Sequence, residues 1–162
     1  MNQLYGGQSK YVLLEVEVPP TVAARTREVA SARCVYESAV DNTGCESRAQ
    51  VAARFTGDHQ EVVSSANKDV QADVSLNFNA ELNNRVVDLA DKGDTKQAVE
   101  ELRKRSQQLK QEANQYYNSA LQGQAVDLAE QAAALEKKGM DNTMRKSIRA
   151  DSYQTFNQQL SK

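Results

Sequence analysis

The chain has 162 residues and a formal net charge of −2, with its 20 basic and 22 acidic side chains spread along the whole length. That balance leaves no basic field for nucleic acid and no acidic tail for a cationic partner. A hydrophobic content of 40 % suffices for one modest core, but the longest apolar runs, residues 11–14 and 132–135, fall far short of the roughly 20 residues needed to cross a bilayer, so no direct membrane insertion of this segment is expected.

The first third reads at period two. In residues 11–18, Val12, Leu14, Val16 and Val18 alternate with Leu13, Glu15 and Glu17, the pattern of a half-buried strand, which Pro19 and Pro20 end. From residue 29 to 40 the set Ala30, Ala32, Cys34 and Tyr36 alternates with Ser31, Arg33 and Glu37. Across a turn placed at Asp41, Asn42, Thr43 and Gly44, Ala49, Val51, Ala53 and Phe55 alternate with Arg48, Gln50 and Arg54. A hairpin closed by that turn sets Cys34 opposite Val51 and Cys45 opposite Val40, which separates the sulfurs by about six residues, or about 20 Å. Both thiols are therefore expected to stay free, and Cys34 reads as a small buried hydrophobe. Residues 61–64 are expected to add a short closing segment to the sheet.

Beyond Ala66 the period becomes helical. Asn67 can cap a helix with the stripe Val70, Val74, Phe78, Leu82, Val86 and Leu89, ended by Gly93. Asp94 then caps a second helix carrying Ala98, Leu102, Leu109, Ala113 and Tyr116, so Lys92-Gly93-Asp94-Thr95 is a tight turn in a long helical hairpin over 67–120. Gly123 and Gly139 frame a third helix around Val126, Ala129, Ala133 and Leu135. A fourth starts near Asn142, with Met144, Ile148, Phe156 and Leu160 as its apolar positions. The expected fold is α+β: a small antiparallel sheet, part of a sandwich, over 1–66, then three or four helices over 67–162 that cover one sheet face.

The candidate sites read mostly as structure. Asp73-Val74-Ser75-Leu76-Asn77 comes near an Asp-x-Ser-x-Ser metal loop, yet such a loop follows a buried strand and this one lies inside a helical stripe. His59, the single histidine, has only Asp58 beside it in the loop 56–59, too little for a closed metal site or a triad. Neither cysteine has a histidine near it in sequence to serve as a base. Gly6-Gly7 lacks the spacing of a phosphate loop and precedes a strand pattern, so it reads as a turn. Arg103, Lys104 and Arg105 with Tyr116 and Tyr117 suggest an aromatic and basic surface, but Glu100, Glu101 and Glu112 cancel its field, and no nucleic-acid partner is expected. One helix pair also falls short of the roughly three repeats that a solenoid needs. No catalytic, cofactor-binding or metal residue is assigned.

Leu4-Tyr5-Gly6-Gly7-Gln8 followed by the strand pattern of 10–18 resembles the segment that follows the von Willebrand factor type A domain in a family of bacterial proteins often labelled calcium-activated chloride channel homologues. Tyr36, Thr43-Gly44, Arg54-Phe55, the helix and Gly-Asp turn of 86–98, and the C-terminal Arg145-Lys146, Ile148-Arg149 and Ser152-Tyr153 are similar to that family in the same order. The resemblance covers nearly the whole chain. It implies that the metal-binding A domain would precede residue 1, with Met1 an added start, and that this chain is a non-catalytic structural and protein-interaction region beside that domain. The other reading is an independent helical-hairpin adaptor that recruits a protein partner. An incomplete sheet leaves an open edge, so a homodimer through that edge is expected, with the first strand taking part.

Overall fold

The computed structural model describes residues 10–158, which divide into two compact units: residues 13–64, and residues 10–12 together with 65–158. The α+β class holds, as one antiparallel strand pair followed by helices. Residues 1–8, including Leu4-Tyr5-Gly6-Gly7-Gln8, and Leu160 lie outside the described residues.

In the smaller unit β1 (Thr26–Glu37) pairs with β2 (Gly44–Arg54). Ala30 and Ala32 share a face with Val51 and Ala49, as their alternation requires, but the register differs from the expected one. Glu37 pairs with Gly44, Tyr36 with Cys45 and Cys34 with Ser47. The connection is longer than the four-residue turn expected. Ser38 N–H donates to the Thr43 carbonyl at 2.9 Å, Asn42 takes a left-handed φ of 53°, and the Asp41 carboxylate accepts from the Thr43 N–H at 3.3 Å and hydroxyl at 2.9 Å. An Asx-type turn at Asp41 therefore draws Thr43 out of the strand, and the pairs from Glu37 to Ala30 slip by an even number of residues, which preserves their faces. A bulge between Glu28 and Ala30 shifts the pairing once more.

Two further expectations fail in this unit. Residues 11–18 form no strand, and Val12, Leu14 and Val16 are exposed. Alternation makes a segment compatible with a sheet face, but a strand exists only where a neighbour supplies its ladder. Residues 61–64 are helical, within α1 (His59–Ser65), because Asp58 caps that turn through its carboxylate on the Gln60 N–H at 2.8 Å.

The larger unit holds α2 (Lys68–Asp91), α3 (Thr95–Tyr116), α4 (Ser119–Lys138) and α5 (Asn142–Phe156). Asn67 and Asp94 cap α2 and α3 as expected, and Gly93 and Gly139 take the positive φ values of 87° and 69° that end helices. Gly123, expected as a boundary, lies inside α4, whose cap is Asn118. Asn118 is buried because its amide also donates to the Lys68 carbonyl at 2.9 Å, tying the start of α2 to the α3–α4 turn.

The core lies where α3 runs along both α2 and α4. Leu82 and Val86 meet Ala98, Leu102, Leu109 and Ala113, and α4 adds Leu121, Ala125, Leu128, Ala132 and Leu135. Each buried leucine contributes about 2 kcal/mol, and the alanines of α4 let its backbone approach closely enough for the Ser106 hydroxyl to donate to the Ala125 carbonyl at 2.6 Å. α5 packs on α2 through Ile148 and Ser152, with Arg145–Asp91 at 2.6 Å and Arg149–Asp88 at 3.0 Å along the rim. These ion pairs are partly exposed and each contributes under about 1 kcal/mol.

The expected apolar faces are rotated. Steps of four residues advance about 40° beyond a full turn, so a stripe drawn through 70, 74, 78 and 82 winds off the buried face. Val70 and Phe78 are about half exposed, and the inner face of α2 runs through Ser75, Asn79, Leu82 and Val86. In α4, Val126 and Ala133 point outward while Leu121, Ala125, Leu128 and Ala132 are buried. In α5, Phe156 is exposed, and Ser152 and Thr155 take the inner positions with Ile148.

Candidate functional site

The helical unit carries a polar seam within its packing. Ser75 and Asn79 are buried on α2, and Arg105 reaches them from α3, its Nε donating to Asn79 Oδ1 at 3.1 Å and its Nη2 to Ser75 Oγ at 3.0 Å. The Asn79 amide donates to Gln124 Oε1 at 2.9 Å, and the Gln124 amide donates onward to the Ala72 carbonyl at 3.2 Å. One more rung, Gln131 to Asn83 at 3.1 Å, repeats the pattern between α4 and α2. No buried side-chain polar atom lacks a partner among the described residues, which is what such a seam requires in a low-dielectric interior.

Arg105 also borders an open groove between α2 and α3. One part, about 510 Å³, is lined by Phe78, Leu82, Arg85, Glu101, Lys104 and Arg105, and the adjoining part, about 230 Å³, by Val74, Ser75, Tyr116 and Leu121 among others. Phe78 stands at both. The charges answer one another, Arg85 of α2 meeting Glu101 of α3 across the groove at 2.5 Å and Arg105 lying near Glu112 along α3 at 3.6 Å, so the walls carry no net field of one sign. Of the sequence set Arg103, Lys104, Arg105, Tyr116 and Tyr117, only Lys104, Arg105 and Tyr116 border the groove. Arg103 pairs with Glu136 at 2.6 Å, and Tyr117 is the exposed left-handed cap of α3.

The hairpin presents two unlike faces. One holds Ala30, Ala32, Cys34, Tyr36, Cys45, Ala49 and Val51, and the other holds Arg33, Val35, Glu37, Glu46 and Arg48. On the polar face Arg33 at 2.7 Å and Arg48 both pair with Glu46, and their guanidinium groups, Arg33 foremost, hold its carboxyl below the usual range. At the tip, hydrogen bonds from Ser38 and Thr43 lower the Asp41 carboxyl likewise. On the apolar face, Tyr36 and Val51 are more than half exposed.

Cys34 belongs to this exposed face, not to a core. Its diagonal relation to Cys45 replaces the wide separation expected, because Cys34 opposes Ser47 and Cys45 opposes Tyr36. Diagonal neighbours stand about 7–8 Å apart at Cα, beyond the usual span of a disulfide, and Cys45 Sγ turns instead toward the Thr43 carbonyl at 3.8 Å. Both thiols are free.

His59 is exposed as the first residue of α1, not a residue of a loop. Asp73, Ser75 and Asn77 lie within α2, with Ser75 on Arg105 and the Asn77 amide donating to the Tyr11 hydroxyl at 2.9 Å. Among the described residues no three His, Cys, Asp or Glu side chains converge as metal ligands, and no helix is long and apolar enough to cross a membrane. The Ser75, Asn79, Arg105 and Gln124 seam escaped the sequence reading. The polar residues Ser75, Asn79 and Asn83, each four positions after the last, were its available signal. Comparison with family models, with curated proteins and with solved structures returned no match.

Proposed function

We propose that the chain is a non-catalytic structural and protein-interaction region, in which the helical unit is a packed support and the hairpin is a piece of sheet to be completed by a protein partner. The observation that carries this reading is the uncovered apolar face of the hairpin: a lone two-stranded ribbon is marginal in water, and Ala30, Ala32, Tyr36 and Val51 have the composition of a sheet interior. The partner implied by the sequence resemblance is a neighbouring von Willebrand factor type A domain.

A photo-crosslinking residue at position 36 or 51 tests this in the source cells. Crosslinks to peptides of an A domain bearing an Asp-x-Ser-x-Ser loop, on the same or another polypeptide, are the expected result. Crosslinks from neither position would overturn the reading. A helical adaptor is the second reading, favoured by the half-exposed Phe78 in the α2–α3 groove, and capture confined to position 78 would select it.

A further inference from the structure

Three features of the smaller unit bear on one another. Residues 13–17 keep strand alternation but lie outside any strand, with Glu15 and Glu17 exposed and in no ion pair among the described residues. The outer edge of β1 pairs with no strand among the described residues, since the sheet has two strands. Arg25 and Arg27, at the beginning of that edge, are also exposed and in no ion pair among the described residues. Arg25 is already held in line with the strands, its carbonyl accepting from the Phe55 N–H at 2.9 Å.

An antiparallel register joins these features. With Glu17 opposite Arg25, Glu15 falls opposite Arg27, on the same face, and Val16 falls opposite Thr26. A slip of two residues either way leaves only one carboxylate facing an arginine. A slip of one residue toward residue 28 sets Glu15 against Glu28, which is repulsive. The pairing ends near the bulge at Val29, where β1 twists away from a straight edge.

We propose that this segment of one copy of the chain adds as a strand to the outer edge of β1 in a second copy, and the reverse, so that the two hairpins become a shared sheet. Pro19 and Pro20 favour exchange over folding back. Two prolines hold an extended backbone, and Val18 before them is barred from the helical region, so the connection to β1 is stiff where a reversal would have to begin. A stiff hinge directs a strand outward to another copy. The exchange gives the alternating segment its ladder, pairs four charges per half and closes the open edge that otherwise invites uncontrolled association.

Light scattering on the full chain across the micromolar range tests this. The expected mass is twice 17.9 kDa. The variants E15K/E17K and R25E/R27E should each be monomeric with unchanged helical circular dichroism, and an equimolar mixture of the two should recover the doubled mass, because each arm then meets an edge of opposite charge. A monomeric unmodified chain would overturn the proposal. So would a dimer that survives either charge reversal, or a mixture that stays monomeric.

Discussion

Leu102→Ala lowers the unfolding free energy by about 3 kcal/mol, within the usual range for a leucine removed from a packed core. Phe78→Ala, in the helix that faces it, costs under about 1 kcal/mol. Leu102 is fully buried between α2 and α4, and little collapse can fill the space because its neighbours Leu109, Val86 and Ala98 are themselves fully buried. Phe78 is 51 % exposed at the mouth of the groove and leaves a shallower gap. The pair is informative because the alternation of residues 70, 74, 78 and 82 places Phe78 inward, whereas the structure turns it toward solvent. Urea denaturation of both variants decides between the two faces, and equal losses would mean that α2 is rotated from its described position.

Arg105→Met costs about 2 kcal/mol for a different reason. Methionine fills much of the same volume, so the loss comes from polar groups, not from a cavity. Ser75 Oγ and Asn79 Oδ1 lose their donor inside the helical unit, and an unpaired buried polar group costs about 1–3 kcal/mol. The side chain of Arg105 is 19 % exposed, so water reaches part of the site and holds the loss toward the lower end. Adding Ser75→Ala and Asn79→Leu to Arg105→Met should recover at least half of it, since both acceptors that lost the guanidinium are then gone and the one group left without its donor, Gln124 Oε1, belongs to a half-buried residue. If the triple variant is less stable than Arg105→Met alone, the seam is not one network.

How far the sequence could be read follows from which forces are local. Asn67 and Asp94 announce their helices because a cap satisfies backbone donors two or three residues away, and Gly93 and Gly139 stop them because few other residues tolerate a positive φ. The hairpin and its two faces were also legible, since alternation is a local property. Its register was not, because Asp41 accepting from Thr43 moves the whole second strand by a choice made inside the loop. The phase of α2 was hidden by the polarity of its inner face, where Ser75 and Asn79 look like solvent-facing residues until Arg105 and Gln124 arrive from other helices.

Residues 11–18 teach a separate lesson about strands. Tyr11 gives its N–H to Gln158 Oε1 at 2.7 Å and its carbonyl accepts from the Gln158 amide at 2.6 Å, so a side-chain amide 147 positions away occupies the hydrogen-bonding groups that a neighbouring strand would use. Nothing in the alternation of Val12, Leu14, Val16 and Val18 announces that latch. Beyond it the pattern is intact, which is why the segment suits an edge it does not occupy within its own chain.

The division of labour between a self-sufficient helical unit and a hairpin awaiting cover is tested most directly by residue-resolved amide hydrogen exchange, measured on dilute monomer and again on the associated or partner-bound chain. In the monomer, the amides of α3 around Leu102 and Leu109 should exchange only through global unfolding, while those of β1 and β2 exchange through local opening orders of magnitude faster. Association should slow the hairpin amides and leave α3 unchanged. Hairpin amides protected as strongly as α3 in the monomer would contradict the account, because a ribbon that stable on its own needs no partner.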